Sequence, residues 1–280
     1  MINRKSFIRG VIWPARYLYD VYAIKIRKRL PVLYYDSEMN VGDDLNKFLL
    51  ERLSGKEVHR VKTRVFRHVL PVGSILNYSS RGSIIYGSGS IDSRLTADPF
   101  KFNKILALRG CLTKDLLLKI GINFFGPLGD PALLMPNFYY PHVTKNYKVG
   151  LVLHYLHKSY CQESWLRSID DVKVIDVQQP VEYFVREMLQ CEYVISSSLH
   201  GLILADAYKI PNQWIVFGKK LKGGDFKFQD YYSTTDCPDS SSYLVEGRAS
   251  FHKLIDELDA FCVKKYRFDS SQLRNAFLET

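Results

Sequence analysis

"VISSSLHGLILADAYKIP" occupies Val194–Pro211. A short apolar run of strand type, Val194-Ile195, meets three serines, and His200-Gly201 then opens a stretch with helical spacing. A helix starting near His200 presents unpaired backbone N–H groups and the positive end of its dipole beyond the strand. That is an anion site, and phosphate is its usual occupant. His200 beside it can serve as a cation or, near neutral pH, as a proton donor. The plainer reading is a hinge histidine that caps its helix, and one motif does not choose between the two.

Outward from this hinge, strand and helix patterns alternate. Toward the N-terminus lie the strands Lys148–Tyr155, Val172–Val177 and Tyr193–Ser197, and a helix over Val181–Cys191 with Pro180 at its start, a favoured place for proline. Toward the C-terminus, Gln213–Phe217 reads as a strand and Phe251–Val263 and Ser271–Leu278 as helices. A break precedes this block: "DPALLMPNFYYPHVTKNYK" holds Pro131, Pro136 and Pro141 and no clean period, which places a linker near residues 136–146. Before the break the alternation is the same, with strands over Val32–Tyr35, Ser83–Ile91 and Lys104–Gly110. Helices there cover Asp43–Leu53 and Thr113–Ile122, the latter capped by Thr113. Such alternation implies α/β architecture with parallel sheets covered on both faces. Two blocks imply two doubly wound, Rossmann-like domains facing a cleft, over 31–140 and 146–250. A basic segment, 1–30, precedes them, and helices in 251–280 are free to pack back on the first domain. Ligands in these folds bind beyond the carboxyl ends of the strands.

The 280 residues are 46% hydrophobic and 24% charged, enough for packed cores. Five widely spaced cysteines, with no CxxC pair, argue against a disulfide framework or a cysteine zinc site and for a reducing compartment. No apolar run has transmembrane length, and the N-terminal stretch, broken by Arg9, Pro14 and Arg16, does not read as a secretory signal. Of the net charge of +10, +7 falls in the first thirty residues, where the basic side chains mix with Phe7, Trp13, Leu18, Tyr19 and Tyr22. This mixture suits an anionic membrane surface. A solvated or self-packed basic helix is the plainer alternative. The charge is too local, and too bare of motifs, for nucleic-acid binding.

The turns at the other strand ends carry further polar groups. "NVGDDLN" (Asn40–Asn46) is a glycine turn into a helix with Asp43 and Asp44 in its first turn. The two carboxylates complement the helix dipole, or orient a sugar hydroxyl. "YGSGSI" (Tyr86–Ile91), with Ser88, permits close backbone approach to a ligand. Arg109, at a strand end, suits bidentate binding of carboxylate or phosphate. Asp130 lies in a further turn. His154 and His157 in "HYLH" make no metal site without further ligands.

Taken together, "NVGDDLN", "YGSGS", "LRGCLTKDLL", "LGDPALLMP" and "SSSLHGLILADAYKIP" resemble, in content and in order, the polysaccharide pyruvyl transferase family. The resemblance covers most of residues 35–217 and does not reach residues 1–30. It implies a two-domain fold like that of the GT-B glycosyltransferases. It also implies transfer of the enolpyruvyl unit of phosphoenolpyruvate to a sugar, closure as a pyruvate ketal and release of phosphate, with no other cofactor and no metal. By matching positions it puts His200 at the donor as acid–base or phosphate ligand, with Ser198, Leu199 and Gly201 around it and Arg109 on the donor's anionic groups. Asp43 would face the acceptor sugar, with Asn40, Asp44 and Ser88 nearby. Many members carry arginine two residues before the histidine, where this chain has Ser198. Lys219, with Lys220 and Lys222, is the candidate replacement, against the alternative of a solvated basic turn. The implied partners are phosphoenolpyruvate and an oligosaccharide of a bacterial exopolysaccharide or capsule, or its lipid-linked precursor. The implied location is cytoplasmic, peripheral on the inner membrane face. Two other readings stand beside this one: a GT-B-type glycosyltransferase using a nucleotide sugar, with Glu182 near the ribose, and a non-catalytic sugar- or phosphate-binding protein.

Overall fold

The computed structural model describes residues 14–34, 40–95, 102–162, 166, 169, 171–218 and 223–278. It holds two five-stranded sheets in which every pairing is parallel. The first contains β1 (Leu30–Val32), β2 (Val58–Arg60), β3 (His68–Leu70), β4 (Ser83–Tyr86) and β5 (Lys104–Ala107), in the order β2-β1-β3-β4-β5. The second contains β6 (Tyr147–Leu153), β7 (Val172–Asp176), β8 (Cys191–Ser196), β9 (Asn212–Val216) and β10 (Tyr243–Leu244), in the order β10-β9-β8-β6-β7. Numbered within each half, both sheets read 2-1-3-4-5, a doubly wound order whose switch point lies between the first and third strands. The α/β class and the parallel sheets expected from the sequence are present.

Helix α1 covers residues 14–21 and ends in a π-type turn, Tyr22–Ile26. The others are α2 (Val41–Ser54), α3 (Cys111–Lys119), α4 (Val181–Leu189), α5 (Leu199–Ala207), α6 (Phe226–Tyr232), α7 (Arg248–Asp256) and α8 (Ser270–Leu278). No helix among the described residues is long and apolar enough to cross a membrane.

Helix α2 shows how local sequence positions the site. Asn40 caps it, its Oδ1 accepting from the N–H groups of Gly42 and Asp43 at 3.0 and 3.3 Å, and Gly55 closes it in the left-handed conformation at φ 68°. Leu50 and Leu53 pack with Val32, Val69 and Tyr86 of the first sheet. Val41, Leu45, Phe48 and Leu49 join a cluster that includes Val152, Phe184, Leu202 and Trp214 of the second half. The two halves therefore share one core across α2. Two polar contacts tie the same junction: the Val41 N–H donates to the Val177 carbonyl, and the Val181 N–H donates to Asp44 Oδ2 at 2.9 Å.

Several boundaries differ from the sequence reading. The proline-rich stretch is not loose: Pro131–Asn137 forms a buried 3-10 helix against α5, and only the residues after it run without regular structure into β6. Thr113 is no cap. It lies inside α3, where its hydroxyl donates to Asp230 Oδ2 at 2.7 Å. The strand ending in glycines stops at Tyr86, because Gly87 turns the chain at φ 77° and a side chain there would overlap Pro131. The last helix, α8, lies on the first sheet, with Phe277 against Tyr86 and Leu273 accepting from the Tyr86 hydroxyl.

Candidate active site

The carboxyl ends of both sheets open onto one cleft of about 240 Å³. Its walls include Asn40, Asp43, Ser74 and Tyr78 from the first half and His154, Ser198, His200 and Lys227 from the second.

The three serines fasten the turn that opened the sequence analysis. The Ser196 hydroxyl accepts from the Ser198 N–H at 3.0 Å and lies within reach of the Val152 and Ser198 carbonyls. Ser197 Oγ accepts from the His154 N–H and contacts His157 Nδ1, both at 3.0 Å. Gly201 is required by packing: a side chain there would overlap Ser196 and Val152, so α5 lies flush on the strands. Ser198 occupies the N-cap position of α5, yet among the described residues no side chain caps that terminus. Its first-turn N–H groups remain available to an anion.

His200 projects from that turn against the first turn of α2. A side chain at Gly42 would overlap its imidazole, which accounts for the glycine of "NVGDD". On its other side, His200 Nε2 lies 3.9 Å from Asp130 Oδ2, and neither atom has a hydrogen-bond partner among the described residues. Asp130 is fully buried and caps the 3-10 helix through its other oxygen, which accepts from the Ala132 N–H at 2.9 Å. Burial raises the Asp130 carboxyl to about 6. Burial, with the charges of Arg109 and Lys227, lowers His200 to about 3. Lys227 falls to about 8 through burial and then Arg109. Burial is also the main reason His154 lies near 3, with Lys227, His157 and His200 adding to it. At neutral pH the cleft thus holds two neutral imidazoles and a lysine that gives up its proton more readily than usual.

Of the residues expected at the site, His200, Ser198, Leu199, Asn40 and Asp43 line the cleft. Asn40 Nδ2 donates to Asp43 Oδ2, holding that carboxylate at the rim. Three others are turned to structural work. Arg109 is fully buried behind the wall, where Nε donates to Asp230 Oδ2 at 2.9 Å, Nη1 to the Ser74 hydroxyl and Nη2 to the Ser90 carbonyl, each at 2.6 Å. It reaches the cleft through its field and through Ser74. Asp44 caps α4, as described above. Ser88 is buried and donates to the Gly73 carbonyl at 3.0 Å. The glycine beside it, Gly89, makes room for the Arg109 guanidinium rather than for a ligand. Lys219, Lys220 and Lys222, and residues 1–13, lie outside the described residues.

The sequence reading missed Lys227 and gave His154 no role. His154 directly follows β6, so its place at a carboxyl end was a usable signal. Lys227 sits at the second position of α6, beyond the strand order that the periodicity reveals. Among the described residues, no three His, Cys, Asp or Glu side chains cluster as a metal site would require.

Fold and cleft define an α/β protein whose polar cleft, lined by histidine, lysine and carboxylate side chains and an uncapped helix N-terminus, lies where the ends of two parallel sheets meet. The profile of the family described as polysaccharide pyruvyl transferase matches residues 40–216. The chain belongs to the polysaccharide pyruvyl transferase family. It is 33% identical over 217 residues to an uncharacterized protein of Acanthamoeba polyphaga mimivirus, covering 74% of this chain and 75% of that one. It is 29% identical over 219 residues to the succinoglycan biosynthesis protein ExoV of Rhizobium meliloti, covering 72% of this chain and 63% of ExoV. A crystal structure of a functionally uncharacterized Klebsiella pneumoniae protein superposes with a TM-score of 0.46 at 13% identity, over 88% of this chain and 100% of that one.

Proposed function

We propose that the protein transfers the pyruvyl unit of phosphoenolpyruvate to two hydroxyls of a saccharide, forming a ketal and releasing phosphate. The observation that carries this reading is the His200–Asp130 pair at the uncapped N-terminus of α5, with Lys227 on the same cleft. The donor's phosphate would lie on the first-turn N–H groups and Lys227. Its negative charge would restore a proton to His200, which Asp130 faces from behind. His200 then delivers that proton to C3 of the enol, making the methyl group and leaving C2 electron-poor. A sugar hydroxyl adds to C2 and yields its proton to Asp43. The C2–O bond to phosphate breaks, a second hydroxyl adds in its place, and the proton it releases leaves with phosphate.

The cleft lies below the usual range of ligand-pocket volumes, which suits a three-carbon phosphate better than a whole nucleotide sugar. The facing carboxyl ends of the two sheets support a GT-B-like reading of the arrangement. The likeness to ExoV, a succinoglycan biosynthesis protein, favours an exopolysaccharide acceptor or its lipid-linked precursor. The exposed apolar residues of α1 favour peripheral contact with the cytoplasmic face of a membrane.

Thermal denaturation with phosphoenolpyruvate, set against a panel of nucleotide sugars, tests the donor. At about 100 times its dissociation constant a ligand adds roughly 2.7 kcal/mol, a rise of several degrees. A rise with phosphoenolpyruvate that disappears in His200→Ala is the expected result. A rise with a nucleotide sugar alone would overturn the proposed reaction.

A further inference from the structure

Ser74 lines the cleft from the first half, and no step of the proposed reaction uses it. It lies just beyond the carboxyl end of β3, which sits beside β1 at the switch point of the first sheet, where ligands of doubly wound folds bind. The turn that carries it is held in place. Gly73 takes φ 126°, a conformation that other residues rarely adopt, and its carbonyl accepts from the Ser88 hydroxyl and the Gly89 N–H, both at 3.0 Å. The Leu76 N–H donates to the Gly89 carbonyl at 3.2 Å, and Asn46 Nδ2 of α2 donates to the Val72 carbonyl at 3.3 Å.

Behind Ser74 stands the fully buried Arg109. Each of its guanidinium nitrogens has a partner, and that of Nη1 is the Ser74 hydroxyl. Asp230, which accepts from Nε, is itself fixed by the N–H and the hydroxyl of Thr113, both at 2.7 Å. Arginine has no acceptor, so in the 2.6 Å contact the Ser74 oxygen must accept, and its own proton turns away from the guanidinium. Among the described residues, that hydroxyl donates to no protein group. A hydroxyl that accepts from a cation is polarised into a stronger donor. The sequence resemblance puts Arg109 on the ligand, whereas the structure puts a serine between them.

The proposed reaction leaves one group of the donor unassigned. With phosphate on the α5 N–H groups and Lys227, and C3 at His200, the third substituent of C2, the carboxylate, needs a hydrogen-bond donor. On the wall from the first half Asn40 is engaged with Asp43, and Ser74 has a proton to give.

We propose that Ser74 binds this carboxylate, so that the cleft selects an enol phosphate bearing one over a simple phosphate, and that Arg109 is the positioning residue of Ser74. The inference rests on phosphoenolpyruvate as the donor. Titration calorimetry on the full chain compares phosphoenolpyruvate with inorganic phosphate, which lacks the carboxylate. Ser74→Ala should lose about tenfold in phosphoenolpyruvate affinity and nothing in phosphate affinity. Ser74→Thr, which keeps the hydroxyl, should stay near wild type. Arg109→Lys keeps the charge and loses the fork, so it should match Ser74→Ala, and the double variant should lose no more than either. Undiminished phosphoenolpyruvate affinity in Ser74→Ala overturns the proposal, as does a parallel loss of phosphate affinity. Additive losses in the double variant overturn the positioning role of Arg109. A wild type that gives no response to phosphoenolpyruvate overturns the donor assignment and this inference with it, a result distinct from equal binding by wild type and Ser74→Ala, which removes Ser74 alone.

Discussion

Burial disfavours the charged form of both His200 and Asp130, but near neutral pH it leaves only the imidazole neutral, because the carboxyl titrates near 6. With His200 near 3 in the folded chain and about 6.5 unfolded, the unfolded state takes up the extra proton as pH falls below 6.5. Stability that His200 contributes above that value is therefore lost between about 6.5 and 3. Asp130 runs the other way. Its carboxyl titrates near 6 when folded against 3.8, so its contribution is fully present below 3.8 and lost as pH rises through 6. Above pH 6 the ionised, unpaired oxygen costs on the order of 3 kcal/mol. Asp130→Asn keeps the oxygen that caps the 3-10 helix and removes that charge. It should melt higher than wild type at pH 7.5, with the gain shrinking toward pH 4, and it should transfer pyruvyl at least tenfold more slowly. Denaturation at the two pH values, with turnover measured beside it, checks both halves. A variant that is no more stable at pH 7.5 would mean that Asp130 already has a partner there.

At the scale of elements, α2 carries the junction, and two substitutions in its first turn separate its duties. Gly42→Ala puts a methyl group where the His200 ring lies, so it should depress turnover far more than it depresses the melting temperature. Asp44→Ala removes the cap of α4 and should cost about 1 kcal/mol in denaturant unfolding while leaving phosphoenolpyruvate binding near the wild-type value. The same turn shows what could be read in advance. Asn40 before "VGDDLN" announces a capped helix, and the alternation of strands and helices announces turns at strand ends, where His200, Asn40 and Asp43 are found. The second partner of each side chain could not be read. Arg109 meets Asp230, and Asp44 meets Val181, across sequence separations that no local pattern encodes. Both residues have the chemistry of ligand-binding groups, and in both tertiary packing turned that chemistry inward. Lys227 was missed for the converse reason: only the packing of α6 brings it to the cleft.

Across the whole molecule, the asymmetry of charge acquires a direction. Helix α1 is anchored on its inner side by Asp20 and Ala23, both buried. Leu18, Tyr22 and Ile26, four residues apart, point outward at 65%, 52% and 67% exposure, and Tyr19 lies beside them. Arg16, Lys25, Arg27 and Lys28 are exposed around this stripe, whereas Arg29 is paired with Glu57. An apolar stripe flanked by cations is the pattern that lies in the interface of an anionic bilayer. Each cation near such a surface contributes about 1 kcal/mol at physiological salt, so Lys25→Glu/Arg27→Glu/Lys28→Glu should lower vesicle affinity by two orders of magnitude or more. Leu18→Ser/Tyr22→Ser/Ile26→Ser should lower it as well, with less dependence on salt. Co-sedimentation of the full chain with phosphatidylglycerol vesicles, against phosphatidylcholine alone, gives the measurement. Wild type should pellet with the first and not the second, and should be released as salt rises and screens the charges. Equal pelleting of wild type and both variants would remove the membrane from the account. A dimer in solution that the serine variant dissolves would assign the stripe to a second copy of the chain.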